Sequence, residues 1–302
     1  MKTKLRKQHY GNVLVKVDNY DVIDCKKCNF AHLLPIPGNK ELITTYEKVF
    51  YEKEKPDYFE RHLRDSDWWN VVYDERLSLF EKYLIGKRRS LLDIGSGPGF
   101  FLKYARDKGW KVIGIEPSKR ASSYARTLGV ESVTGFFNSD AVRGFNEFDV
   151  IHMQGVLEHL PTPKETVENC YKILKSGGLF CTVVANDFNP FQLILKNYLG
   201  FKPWWVVPSQ HINYFTISSI KKLIESCKLR VIDIVTTFPM ELFLLMGDNY
   251  VDNDKIGKIC HNKRKRFEFS LIKGNTQLKI KLYHLLAKNN LGRDIILTAK
   301  KI

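Results

Sequence analysis

The chain has 302 residues, of which 44% are hydrophobic, 27% charged and 13% aromatic, a composition that excludes a disordered chain and leaves room for about two domains. No run of about 18 apolar residues occurs, and the basic start Met1-Lys2-Thr3-Lys4-Leu5-Arg6-Lys7 lacks the apolar stretch of a signal peptide, so no membrane span is expected and the cytoplasm is the expected compartment. Lys and Arg (48) outnumber Asp and Glu (33) for a net charge of +15, which suits either anionic partners or a lysine-rich solvated surface.

The first region, residues 1–65, reads as a small module. Residues 13–17 and 20–24 alternate as strands do, and Leu34-Pro35-Ile36-Pro37-Gly38 rules out a helix there. Between them stands Cys25-Lys26-Lys27-Cys28-Asn29-Phe30-Ala31-His32. Two thiolates two residues apart can chelate one zinc, and two further ligands complete the tetrahedron. No second Cys pair exists, so His9 and His32 are the candidates to join Cys25 and Cys28. Free structural thiols are the alternative. A redox role fits less well, because no helix pattern follows the pair. The remaining cysteines, Cys170, Cys181, Cys227 and Cys260, are scattered and form no disulfide framework.

Residues 66–87 read as a linking helix. Trp68, Trp69, Val72, Leu77, Phe80 and Leu84 recur at roughly helical spacing. From 88 to 302 strands and helices alternate. Strands are expected at 90–94, 111–115, 132–134, 148–153, 179–184, 230–235 and 294–298, with helices at 99–108, 118–128, 137–144 and 162–175. That alternation implies a parallel, doubly wound α/β sheet covered on both faces. Two insertions, 186–217 and 237–292, interrupt it and are expected to cap a ligand crevice.

The most informative stretch is Leu91-Leu92-Asp93-Ile94-Gly95-Ser96-Gly97-Pro98-Gly99, an apolar strand running into a glycine turn before a helix. Glycines permit positive φ and close ligand approach. The spacing is Gly-x-Gly-x-Gly, and Phe100 stands where a dinucleotide-binding loop needs its third glycine. Asp93 would repel a pyrophosphate but not a sulfonium or an amino group. Glu116, ahead of Pro117 at the end of the next strand, is placed to accept both hydroxyls of a ribose.

These motifs resemble those of the class I S-adenosylmethionine-dependent methyltransferases, over about residues 88–184. The resemblance implies a Rossmann-like seven-stranded sheet, S-adenosylmethionine as cofactor, and methionine and ribose contacts from Asp93, Gly95, Gly97 and Glu116. It also implies that Gln154, ending the stretch from Phe148, lines the methyl-transfer site, and that Gly177-Gly178 turns into the fifth strand. Phe137 occupies the adenine-flanking position, where ring stacking and plain core packing are both open. The Cys pair resembles the small zinc module of bacterial methyltransferases, some acting on nucleotide sugars, although these usually carry two Cys pairs.

Methyl transfer needs an aligned nucleophile and often a base. The segment Gln210-His211-Ile212-Asn213-Tyr214-Phe215 resembles a His-x-x-Tyr-Phe stretch of the zinc-module sugar methyltransferases, which makes His211 a candidate base and Tyr214 a candidate to orient a hydroxyl. His159, just after the fourth strand, is a third candidate. Bracing and packing are the alternatives for all three. The second insertion, with Asp248, Asn249 and Tyr250, either closes over substrate or forms a homodimer surface. The reading is an enzyme methylating oxygen or carbon of a small molecule, a sugar or nucleotide-linked sugar of surface polysaccharide. RNA is a weaker acceptor, since no RNA-binding module is present and His152-Met153-Gln154-Gly155 replaces the Asn/Asp-Pro-Pro-Tyr/Phe motif of amine-methylating nucleic-acid enzymes. A non-catalytic cofactor-binding subunit is the reading from another class.

Overall fold

The computed structural model describes residues 9–38, 45–86 and 89–302. The basic start 1–7 and the boundary at 87–88 lie outside the described residues. Seven strands form the main sheet: β4 (Ser90–Ile94), β5 (Lys111–Glu116), β6 (Ser132–Thr134), β7 (Phe148–Gln154), β8 (Leu174–Ala185), β10 (Leu229–Thr236) and β11 (Asp294–Lys301), in the order β10-β11-β8-β7-β4-β5-β6. Strands β4 to β8 run parallel, and β11 runs antiparallel to both β8 and β10. The central strands are buried along almost their whole length, as expected where helices cover both faces. Leu92, Ile151 and Phe180 face one core, while Leu91, Val150 and Cys181 face the other.

The chain order reverses beside β4: β5 and β6 lie on one side, β7 and β8 on the other. Such a switch point opens a crevice at the carboxyl ends of the strands. The helix entering there, Phe100–Asp107, starts directly after Gly99, and the next, Lys119–Thr127, is capped by Ser118, whose Oγ accepts the Ala121 N–H.

A second sheet holds β1 (Gly11–Val17), β2 (Tyr20–Cys25), β3 (Phe30–Leu34) and β9 (Asn213–Tyr214), all antiparallel. The fourth strand of the amino-terminal sheet thus comes from the first insertion. The remainder of the first region, a π-helical segment Thr45–Glu54 and the helix Tyr58–Arg64, leaves that sheet and lies against the main domain. The second insertion forms a short helix, Glu241–Leu245, and the long helix Asp254–Lys288, broken at Asn275. The long helix packs on β10 and on the helix Ser66–Tyr83, where Trp68 donates to Glu268 at 2.7 Å and Lys279 pairs with Glu75 at 2.5 Å. No helix among the described residues is long and apolar enough to cross a membrane.

Candidate active site

At the switch point lies a cavity of about 350 Å³. Its floor is the end of β4 and the glycine loop. Gly95 (φ +71°) and Gly97 (φ +52°) adopt backbone that favours glycine. A Cβ on Gly95 would stand 2.6 Å from Val156 Cγ2, and one on Gly97 would stand 2.9 Å from the Tyr51 hydroxyl. The loop is bare because neighbours occupy the space a side chain needs.

Asp93, Glu116, Pro117, Phe137 and Gln154 all line this cavity together with Gly95 and Gly97. Glu116 is buried; one carboxylate oxygen accepts the Gly97 N–H and the other the Ser118 N–H, each at 2.9 Å. Burial raises its pKa to about 7, against the pull of those two amides. Asp93 is also buried and receives His152 Nδ1–H at 2.7 Å. A glycine cradle with a carboxylate at the end of β4 and another at the end of β5 suits an adenosyl cofactor: the bare loop admits close approach, and Glu116 has lone pairs for two hydroxyls.

The roof differs from the expected cap. It comes from residues 46–73, with Tyr46, Phe50, Tyr51, Tyr58, His62 and Trp69 lining the cavity, and no residue of 186–217 or 237–292 does so. Arg120 fixes the roof by donating to the carbonyls of Tyr51 and Pro56. His62 stacks between Phe100 and Trp69, with ring centroids 4.3 and 4.5 Å away, and accepts the Tyr73 hydroxyl proton at 2.7 Å. Burial lowers the His62 pKa to about 4, which keeps it neutral for that role. Sequence reading missed this roof. The recurrence of Tyr46, Phe50, Tyr51, Tyr58 and Phe59 was the available signal, hidden in a region that looked like strands and turns.

Of the three catalytic candidates, only His159 lines the cavity. Its Nδ1–H donates to the Gln210 carbonyl at 2.6 Å, leaving Nε2 with a lone pair. His211 stands behind it, ring centroids 5.0 Å apart, outside the cavity wall. Burial lowers the pKa of His159 to about 4 and of His211 to about 3. Glu158, which sequence reading passed over, joins them: donor atoms of Glu158, His159 and His211 all lie within 4.8 Å of one another. Tyr214 is placed elsewhere. It is buried in β9, packs with Phe188 and Trp205, and donates its hydroxyl to the His211 carbonyl at 3.1 Å, away from the cavity at the switch point. Trp204 and Trp205 likewise belong to the small core beneath the second sheet. Asp248 pairs with Lys263 at 2.5 Å, and neither it nor Asn249 nor Tyr250 reaches the cavity.

In the small sheet, His9, Cys25, Cys28 and His32 converge, with one donor atom from each inside a 4.8 Å circle. His9 Nδ1 lies 3.4 Å from Cys28 Sγ, 3.7 Å from Cys25 Sγ and 3.1 Å from His32 Nε2. His32 Nδ1–H donates to the Leu33 carbonyl at 2.9 Å, which turns Nε2 inward as a lone pair. Two thiols and two imidazole nitrogens at this separation form a donor set suited to tetrahedral zinc.

The family described as "Methyltransferase domain" matches residues 61–234. An uncharacterized methyltransferase of Mycobacterium leprae (strain Br4923) is 28% identical over 177 residues, covering 57% of this chain and 64% of its own length. The C-methyltransferase NovU of Streptomyces niveus is 24% identical over 221 residues, covering 72% of this chain and 48% of its own. A ubiquinone biosynthesis O-methyltransferase of Coxiella burnetii (strain Dugway 5J108-111) is 26% identical over 145 residues, covering 42% of this chain and 60% of its own. The chain therefore spans less than two thirds of the length of these relatives. Among solved structures, a SAM-dependent methyltransferase from Archaeoglobus fulgidus shares the fold, with TM-score 0.51, 19% identity, and coverage of 81% of this chain and 99% of that one.

Proposed function

The chain belongs to the methyltransferase domain family, and on that premise we propose that it transfers the methyl group of S-adenosylmethionine to oxygen or carbon of a small acceptor, a sugar or a nucleotide-linked sugar. The observation that carries the reading is the pairing of a bare glycine cradle with the Glu116 carboxylate inside one roofed cavity.

Asp93 and the loop amides take the methionine end, Glu116 the ribose hydroxyls, and Phe137, beside Pro117, the adenine ring. The cofactor supplies an activated methyl on a positively charged sulfur. An acceptor that took this methyl would give up a proton, so a residue lining the cavity has to receive it. Gln154 and His159 both line the cavity, and the acceptor meets them there. A neutral imidazole there offers Nε2 to the acceptor hydroxyl, with the Gln210 carbonyl holding the ring in place. The aromatic roof excludes water from the reacting atoms and favours a small acceptor over a polymer. The named relatives include an O-methyltransferase and a C-methyltransferase, in keeping with either acceptor atom.

The His9, Cys25, Cys28 and His32 cluster holds a structural zinc that ties the amino-terminal hairpin together. The resemblance of this module to those of sugar methyltransferases, and the positive net charge, support a diphosphate-bearing sugar.

The test is incubation with methyl-labelled S-adenosylmethionine and, separately, a nucleotide-sugar pool and total RNA. Label entering the sugar pool is the expected result. Label entering RNA alone, or cofactor binding with transfer to neither, overturns it.

A further inference from the structure

We infer that Glu158, His159 and His211 form a second metal site, for a divalent first-row transition cation, where His159 joins the cavity wall to the buried Glu158 and His211 behind it. The inference rests on the reading that the acceptor meets His159, and it replaces direct acceptance of the acceptor proton at Nε2 with a cation bound there.

The three residues come from two elements: Glu158 and His159 from the 3-10 turn after β7, and His211 from the loop before β9. The fold brings them together because Ile212 N–H donates to the Glu158 carbonyl at 2.8 Å and Asn213 Nδ2 donates to the Leu157 carbonyl at 2.8 Å. Buried polar atoms are nearly always hydrogen-bonded. Here two exceptions sit in one cluster. Glu158 is 4% exposed, and its Oε2 has no partner among the described residues; neither has the buried His211 Nδ1.

The chemistry of the set is that of a metal site. Two imidazoles and one carboxylate suit Mn²⁺, Fe²⁺, Co²⁺ or Zn²⁺, whereas Mg²⁺ and Ca²⁺ prefer all-oxygen sites. His159 is oriented from behind by the Gln210 carbonyl, as metal-bound imidazoles usually are. Three protein ligands leave coordination positions open, and His159 is the ligand that lines the cavity.

The test is a Co²⁺ titration of metal-stripped full-length protein, followed by absorption. Thiolate ligands give an intense sulfur-to-cobalt band, while a Glu–His–His site gives only weak ligand-field bands. The expected result is an equivalent without the sulfur band, in addition to any bound by the cysteines. Glu158→Gln and His211→Asn should each weaken that equivalent by about tenfold or more. The pair Cys25→Ser with Cys28→Ser should leave it in place, which keeps the test valid if the first variants misfold. A wild-type protein binding cobalt only with the sulfur band, or not at all, overturns the inference, as does a second equivalent unchanged in folded Glu158→Gln and His211→Asn. Calorimetry of S-adenosylhomocysteine binding to the stripped protein reads the cofactor site separately, so failure of one reading leaves the other decided on its own measurement.

Discussion

His152 in β7 donates its Nδ1–H to the Asp93 carboxylate in β4 at 2.7 Å, with both groups buried. The bond crosses between neighbouring parallel strands one residue before the glycine loop bends away from Ile94. It orients Asp93 while keeping the imidazole neutral, since burial holds the His152 pKa below its usual value against the attraction of Asp93.

Asp93→Asn keeps the shape and removes the charge. The expected loss is about 1–3 kcal/mol of stability, the cost of weakening a buried charge-assisted bond, with poorer cofactor binding. Denaturant unfolding and calorimetry check both, and an Asn variant that binds S-adenosylhomocysteine as tightly as the wild type removes Asp93 from the cofactor site.

Glu116 predicts a pH dependence whose sign can be worked out. Its folded pKa of about 7 lies above the ordinary carboxyl value of 4.5. Its contribution to the free protein's stability is therefore fully present below the ordinary value and is lost as pH rises through about 7. The cofactor acts the opposite way, because its ribose hydroxyls favour the ionised acid. Binding near pH 6.5 should release protons, and affinity should rise across about pH 6 to 8. Calorimetry in buffers of different ionisation heat measures the release. Glu116→Gln should abolish it and weaken binding by about ten- to hundredfold, the worth of a hydrogen bond to a charged group.

Gly95→Ala should cost about 1–2 kcal/mol in backbone strain alone, and more from the 2.6 Å approach to Val156. Adding Val156→Ala should recover the contact part and leave the strain. If the double variant is no more stable than the single one, the crowding described here is not what keeps the position bare.

The roof should respond to the cofactor. Amide exchange across Thr45–Glu54 and Tyr58–Arg64 should slow when S-adenosylhomocysteine is added, because these segments line the cavity from above. Unchanged exchange there, with slowing confined to the glycine loop, contradicts a roof that closes on ligand.

Cys28→Ser should eliminate a bound zinc equivalent, measured by elemental analysis, and lower the thermal midpoint. Cofactor affinity should stay within about twofold, since none of the four donors lines the cavity. Retention of zinc by this variant argues against the cluster as its holder.

The main sheet was legible because its signals are local. An apolar run such as Leu91-Leu92 ending in glycine, repeated in company with helical stretches, leaves few topologies, and Asp93, Glu116 and Gln154 are placed by their position at strand ends. The roof was not legible. Its aromatics find partners only in tertiary structure, as Tyr51 does over Gly97 and His62 between Phe100 and Trp69. The resemblance drew Tyr214 toward chemistry, whereas its hydroxyl is engaged by a backbone carbonyl three residues back. Glu158 was overlooked because its importance lies in who stands beside it, His211, more than fifty positions along the chain. The insertions were taken as caps by rule of position, but Asp254–Lys288 finds its apolar partners on β10 instead.

The pairing of β3 with Asn213–Tyr214 has an evolutionary corollary. The cysteine hairpin borrows its last strand from a loop within the methyltransferase domain, so the edge of β3 is covered only while both pieces stand in one chain. A recombination that grafted the first sixty-five positions onto another scaffold would carry an open strand edge with nothing to zip against, and such edges invite aggregation.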